Sequence, residues 1–228
     1  MRWLPIFLIR VYRVCLSPIK NFFTFGYGVC RFHPSCSQYA LESFQKYGVI
    51  LGFKLTLKRL SKCHPAGGFG LDPVPTIKMI EDQKWMNLAI KLARKGIGKT
   101  DPNPIVGAVI VFENTLLGSG YHQKAGAPHA EPNAIKDALE RGFSTEGATI
   151  YVTLEPCSTT GKTPPCTEAI IQAGIKRVVI GTHDPNPLHK GKAKSILQRS
   201  GIEVEFSTEP IQTTCFRLNP QFNKSFCP

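Results

Sequence analysis

The strongest constraint on this chain is a convergence: His129-Ala-Glu131, Pro156-Cys157 and Pro165-Cys166 can work together only if the fold gathers three separate segments at one point. One imidazole and two thiolates are a sufficient donor set for a catalytic zinc ion, which takes three protein ligands and keeps a fourth position for water. Two thiolates cancel most of the ion's charge, so such a water is less acidified than at an all-imidazole site and needs a nearby base. Glu131, two residues after the histidine, is the candidate base. The spacing puts His129 and Glu131 at the start of one helix, with Pro132 tolerable in its first turn, and Cys166 at the start of another after Pro164-Pro165. Helix starts present free N–H groups and a positive partial charge, which favour thiolates.

Charge patterning divides the 228 residues, 42% of them hydrophobic, into two parts. Residues 1–75 hold ten Lys or Arg against two acids, a net +8, whereas residues 76–228 hold eighteen against fourteen, a net +4. A basic segment of that kind suits an anionic surface, where each well-placed Lys or Arg adds about 1 kcal/mol. We expect one domain over 1–75, a linker over 76–80 and a second domain over 81–228. The first residues offer only Trp3 to Ile9 between Arg2 and Arg10, with no small-residue cleavage site after them, and no stretch approaches the roughly 20 apolar residues of a membrane span. The expectation is a cytoplasmic chain with reduced thiols.

Residues 2–20 read as an amphipathic helix. At 100° per residue Arg2, Arg13 and Lys20 fall on one line and Arg10 about 80° away, beside a broad apolar face that includes Trp3, Leu4, Phe7, Leu8 and Val11. That is the pattern of a helix lying in a membrane interface, with these four cations as its membrane contacts, and equally that of a core helix in a small domain. Helical pieces follow at Glu42–Tyr47 and Lys54–Leu60. Cys30, Cys36 and Cys63, with His33 and His64, invite a metal reading, but five residues between Cys30 and Cys36 is not a usual structural zinc spacing. Spacing therefore favours packed or redox-active thiols there.

Over residues 6–75 the segment resembles the membrane protein insertion efficiency factors. The resemblance runs through Ile9-Arg10-Val11-Tyr12, Ser17-Pro18, Cys30-Arg31-Phe32-x-Pro34-x-Cys36-Ser37-x-Tyr39, Gly48-Val49-Ile50, Lys62-Cys63-His64-Pro65 and Asp72-Pro73-Val74-Pro75. It implies a small, mainly α-helical protein on the cytoplasmic face of the inner membrane, partnered by an anionic membrane surface and by the membrane protein insertase.

Beyond residue 80 the periodicity changes. Glu81 to Lys95 reads as a helix with Trp85, Met86, Leu88, Ala89, Ile90, Leu92 and Ala93 inward. Apolar runs at Val106–Phe112, Thr149–Leu154, Arg177–Gly181 and Ile202–Phe206 alternate with helical stretches at Glu131–Arg141, Cys166–Gly174 and Lys192–Ser200. The alternation predicts an α/β protein, a three-layer α/β/α sandwich around a mostly parallel sheet.

The site residues fit the general zinc deaminase signature, H-x-E followed by P-C-x-x-C, except that eight residues rather than two separate Cys157 from Cys166. In full, the second segment resembles the deaminase half of the bifunctional riboflavin-biosynthesis deaminase/reductase, a fold of cytidine-deaminase type. The likeness covers residues 81 to about 226 through Asp101-Pro102-Asn103-Pro104-x-Val106-Gly107, Gly120-Tyr121-His122-x-x-Ala125-Gly126-x-Pro128-His129-Ala130-Glu131 and Thr153-Leu154-Glu155-Pro156-Cys157-x-x-x-Gly161-Lys162-Thr163-Pro164-Pro165-Cys166. Asp184-Pro185-Asn186-Pro187 and Leu218-Asn219-x-x-Phe222 extend it.

That resemblance implies zinc held by His129, Cys157 and Cys166, with Glu131 taking a proton from the attacking water and passing it to the departing amine. It also implies substrate contacts at Asn103, His122 and Lys162, the last a point charge for a phosphate. The substrate would be 2,5-diamino-6-(5-phosphoribosylamino)pyrimidin-4(3H)-one, a phosphorylated pyrimidine losing its ring amine as ammonia. A self-associating chain is implied, and a reductase on a separate polypeptide, since the family's usual reductase half has no counterpart up to Pro228. Two other readings stay open: an insertion factor with an inactive deaminase domain, and a nucleic-acid deaminase. Against the latter, the excess positive charge lies outside the deaminase segment.

Overall fold

A computed structural model describes residues 3–17, 30–64, 66–159, 164–187 and 189–226. The chain divides into two compact units, Met1–Thr76 and Ile77–Pro228.

The first unit is mainly helical. Helix α1, Trp3–Val11, runs on into a π turn over Tyr12–Leu16, and α2 spans Cys36–Leu60. Within α2, Gly48 adopts φ 74° and ψ −168°, a left-handed break that divides it into two helical arms. Gly52 is where the arms touch, since a Cβ there would sit 2.9 Å from the Phe44 Cα. Two short parallel strands, β1 (Phe32–His33) and β2 (Gly70–Leu71), complete the unit. Its core is Phe32, Tyr39, Ala40, Leu41 and Phe44, together with the fully buried Arg59.

None of the residues of α1 is buried. Trp3 is 81% and Phe7 63% exposed, and Leu4, Leu8 and Val11 are exposed as well, so this is not a core helix. Of the four cations expected on its polar stripe, Arg10 is exposed, Arg13 hydrogen-bonds the Gln38 side chain, and Arg2 and Lys20 lie outside the described residues. No described helix is long and apolar enough to cross a membrane.

The second unit opens with α3, Ile77–Ala93, so four of the five residues expected as linker are instead the first turn of a helix. Then come β3 (Gly107–Phe112), β4 (Thr115–Tyr121), α4 (Ala130–Glu140), β5 (Thr149–Val152), α5 (Cys166–Gln172), β6 (Arg177–Ile180), α6 (Lys192–Arg199), β7 (Glu203–Phe206), α7 (Ile211–Phe216) and α8 (Pro220–Lys224). The five strands form one sheet in the order β4-β3-β5-β6-β7. Here the expected mostly parallel sheet is corrected: β5, β6 and β7 are parallel, but β3 is antiparallel to both its neighbours. The cause is a hairpin at Glu113-Asn114, both at positive φ, that folds β4 back along β3.

Strand alternation sorts the core into two layers. Ala108, Ile110, Ile150, Val152, Val178 and Ile180 face one way, towards Ala130, Ala134, Ile170 and Leu197 of α4, α5 and α6. Val109, Val111, Tyr151 and Val179 face the other, towards Trp85, Met86, Ala89 and Ile90 of α3 and Ile211 and Cys215 of α7. Arg177 ties these layers at one end, with a two-pronged bond to Asp82 of α3 at 2.9 and 2.8 Å and a further bond to Glu205 of β7. Tyr151 donates to the same Asp82 at 2.8 Å.

Close approach places α4. A Cβ on Gly118 would lie 2.3 Å from the Ala134 carbonyl oxygen, and one on Gly120 would lie 2.5 Å from both the Ala130 oxygen and the Ala134 nitrogen. Only a strand without side chains at these positions lets the alanine face of α4 rest directly on it. Gly120→Ala should therefore destabilise the fold by about 1–3 kcal/mol, the usual magnitude for overpacking against backbone that cannot yield. Its thermal denaturation midpoint, measured beside the parent chain, should fall by several degrees.

Candidate active site

The C-terminal ends of β5 and β6 and the N-terminal ends of α4 and α5 meet at one point. His129 is the N-cap of α4, in extended conformation at φ −70° and ψ 177°, and Glu131 stands in that helix's first turn. Cys157 follows β5 after Pro156, and Cys166 is the first residue of α5. Proline at 165, as that helix's N-cap, fixes the entry.

One donor atom from each of His129, Cys157 and Cys166 lies within 4.8 Å of the others. His129 Nδ1 is 3.2 Å from Cys166 Sγ and 3.6 Å from Cys157 Sγ. A tetrahedral zinc ion, with bonds of about 2.0 Å to nitrogen and 2.3 Å to sulfur, holds such atoms about 3.6 Å apart. The donor set therefore fits zinc in both chemistry and spacing. The Cys166 backbone N–H donates to Cys157 Sγ at 3.3 Å, a helix-start bond that favours the thiolate. The Cys157 thiol is pulled down to about 4, first by its hydrogen bond with Cys166 and then by His129, against the cost of burial. Cys166 is pushed up by the same shared bond and by desolvation.

Glu131 is 3% exposed. Burial raises its carboxyl to about 7, and the nearby Cys157 charge adds to the rise. A carboxyl held near neutrality is suited to taking and returning a proton. His122 is buried too, and burial pushes its imidazole down, which favours the neutral ring. Its Nδ1 donates to the Pro128 carbonyl at 3.2 Å, which leaves Nε2 to accept from the Asn103 amide at 3.3 Å. The His122 ring stands edge-on to His129, with centroids 5.2 Å apart. Thus Asn103, His122, His129 and Glu131 share one wall. Lys162 lies outside the described residues.

Sequence reasoning leaves three contributors without a role. Asn219 is buried and clamps the loop that carries Asn103, accepting from the Ile105 N–H at 2.7 Å and donating to the Ile105 carbonyl at 3.1 Å. Glu155, also buried, accepts from His183 Nδ1 at 3.1 Å and from the Asp184 N–H at 3.4 Å, while its Oε1 has no hydrogen-bond partner among the described residues. Asp184 feels the Cys157 charge, which helps raise its carboxyl after burial has done most of it. The signals were present in Glu155-Pro-Cys157, Asp184-Pro185-Asn186 and Leu218-Asn219, but pairing across the fold is what gives them meaning.

A carboxyl raised in the folded state binds its proton more tightly there than in the unfolded chain. Glu131 therefore contributes stability that is fully present below about pH 4.5 and is lost as pH rises through about 7. In chelator-treated protein, Glu131→Gln should leave stability little changed at acid pH and raise it at pH 8 by up to about 3 kcal/mol. Urea denaturation of both proteins at the two pH values reads this difference; an equal offset at both would refute it.

Comparison with known proteins gives a consistent picture for each unit. Residues 79–182 match the family described as the cytidine and deoxycytidylate deaminase zinc-binding region, and residues 1–75 match the membrane protein insertion efficiency factor family. The riboflavin biosynthesis protein RibD of Synechocystis is 52% identical over 144 residues, 63% of this chain and 38% of its own length. The chain thus spans little over a third of such relatives. A diaminohydroxyphosphoribosylamino-pyrimidine deaminase of Buchnera aphidicola is 48% identical over 126 residues, 55% of this chain and 84% of that protein. Among solved structures, Acinetobacter baumannii RibD is similar over 65% of this chain and 41% of its own, at 48% identity and a TM-score of 0.61.

Proposed function

The chain belongs to the diaminohydroxyphosphoribosylamino-pyrimidine deaminase family, and on that premise we propose that it hydrolyses the ring amine of 2,5-diamino-6-(5-phosphoribosylamino)pyrimidin-4(3H)-one in riboflavin biosynthesis. The observation that carries the reading is the convergence of His129, Cys157 and Cys166 with a buried Glu131 beside them. In the reaction, water adds to the ring carbon of the cyclic amidine, a C–O bond forms, the C–N bond breaks and ammonia leaves. His129, Cys157 and Cys166 would hold a zinc ion, which would supply Lewis acidity towards water near neutral pH. Glu131 accepts the water proton on its carboxylate and delivers it to the leaving nitrogen, a transfer its raised carboxyl matches at neutral pH. Asn103, oriented by His122 and by the Asn219 clamp, holds the pyrimidine edge, and Lys162 meets the phosphate. The product is the uracil on which a reductase acts, and the Thermotoga maritima relative is described as combining the two activities.

Glu131→Gln should lower ammonia release from this substrate by at least about 10²-fold while zinc stays bound. Cytidine, CMP and a short RNA, run beside it, should yield none. Retained turnover in the variant would refute the proton shuttle, and turnover of RNA would favour a nucleic-acid deaminase.

For the first unit we propose a peripheral membrane module on the cytoplasmic face of the inner membrane, acting with the insertase. Support comes from α1, which exposes Trp3, Leu4, Phe7 and Leu8 beside Arg10. Self-association has an apolar surface available in Leu139 and Phe143 of the second unit, 59% and 37% exposed. Co-sedimentation with anionic vesicles should be reduced several-fold in Arg10→Glu and further in Phe7→Ser/Leu8→Ser; undiminished binding in both would overturn the membrane role.

A further inference from the structure

The three cysteines of the first unit come together although the sequence separates them. The left-handed break at Gly48 turns the second arm of α2 back beside the first, and Cys63 follows the end of that arm, its N–H bonded to the Leu60 carbonyl at 3.0 Å. As a result the sulfur atoms of Cys30, Cys36 and Cys63 all lie within 4.8 Å of one another, and none of the three is in a disulfide. Zinc–sulfur bonds of about 2.3 Å in a tetrahedron set sulfur atoms about 3.8 Å apart, so a small inward movement closes the set around an ion.

Two further observations point to a ligand there. First, the local geometry repeats that of the active site. Cys36 is the first residue of α2 and its N–H donates to Cys30 Sγ at 3.1 Å, just as Cys166, first in α5, donates to Cys157 Sγ at 3.3 Å. Secondly, the charges around the trio are unbalanced. The side chain of Arg59 is fully buried, bonded to the Pro34 and Asp72 carbonyls and paired with the Asp72 carboxylate at 2.8 Å, which Lys62 shares at 3.3 Å. Its guanidinium lies over the Phe32 ring at 4.2 Å and interacts with the Cys36 thiol, while its buried Nε has no hydrogen-bond partner among the described residues. Two cations share one carboxylate, so the cluster is net positive by one, and Arg59 is the cation that acts on Cys30 and Cys36. Three thiolates around a divalent ion carry one net negative charge, which matches it.

We propose that Cys30, Cys36 and Cys63 form a second zinc site, of three thiolates with the fourth position open, that clamps both ends of the α2 hairpin. This site is independent of the deaminase chemistry and stands whether or not that reading does. The test is metal content by elemental mass spectrometry on the full chain purified in reducing buffer. The parent chain should carry about two zinc ions, and the Cys157→Ser/Cys166→Ser chain about one, which Cys36→Ser then removes and Cys36→His retains. A parent chain without zinc, zinc unaffected by Cys36→Ser in either background, or a disulfide within the trio under the same conditions would overturn the proposal, whereas a single parent ion that Cys36→Ser abolishes would count against the deaminase site alone. The parent count needs no variant to fold.

Discussion

The contact of α4 with β4 is what the second unit's chemistry depends on. Two glycines on the strand face three alanines four residues apart on the helix, so backbone meets backbone with little between. Because α4 can neither rise nor slide on such a surface, its first turn is fixed relative to the sheet. That turn holds His129 and Glu131. Asp137 reinforces the seating from the next turns of the same helix, its carboxylate accepting from the Ser119 N–H of the strand at 2.7 Å. A proton shuttle tolerates little positional freedom, and here the constraint is met by removing side chains rather than by adding bonds.

Burial then sets the electrostatics. Glu131 and Cys166 are both removed from water; Glu131 helps raise the Cys166 thiol, whereas Glu131 itself is raised by burial and by the Cys157 charge and is lowered by its hydrogen bond with Cys166. Without a cation the cluster can carry only part of its possible negative charge, and Cys157 keeps it because two neighbours donate to its sulfur. A divalent ion reverses that balance, since it lets both thiols ionise together. Around this centre the polar partners are arranged as supports. His122 hangs from the Pro128 carbonyl immediately before His129, and Asn219 reaches from the far end of the unit to hold the loop of Asn103. Glu155 braces the β6 end through His183 and Asp184.

These arrangements differ in how far the sequence discloses them. The ligand set is legible because each ligand sits in a short motif whose neighbours, Pro and Glu, carry their own meaning at a helix start. The strands β3, β5 and β6 are legible because both faces are buried and read as apolar runs, and the edge strand β7 because Val204 and Phe206 alternate with Glu203 and Glu205. Strand β4 is not, because its inward positions are glycines chosen for contact with α4, and a Thr-Leu-Leu-Gly-Ser-Gly-Tyr run has no hydrophobic alternation to detect. The mixed sheet follows from that omission. Likewise the first turn of α3, read as a linker, is apolar and joins a helix whose pattern becomes clear only from Glu81. The Asn219 clamp joins residues 114 apart, so the local Leu218-Asn219 signal does not disclose its partner.

Cysteine spacing illustrates the same limit from another side. The familiar two-residue gap between paired ligands comes from a tight turn that offers its own N–H groups to the first sulfur. In this chain both cysteine pairs use a helix start instead: the second cysteine is the first helical residue, and its N–H meets the first cysteine's sulfur at 3.1 Å in one unit and 3.3 Å in the other. The intervening loop is then free to be five residues long or eight, because the helix end rather than the loop sets the geometry. A spacing rule built on turns rejects such pairs. The physical requirement, a thiolate facing unpaired N–H groups with a third soft donor in reach, accepts both.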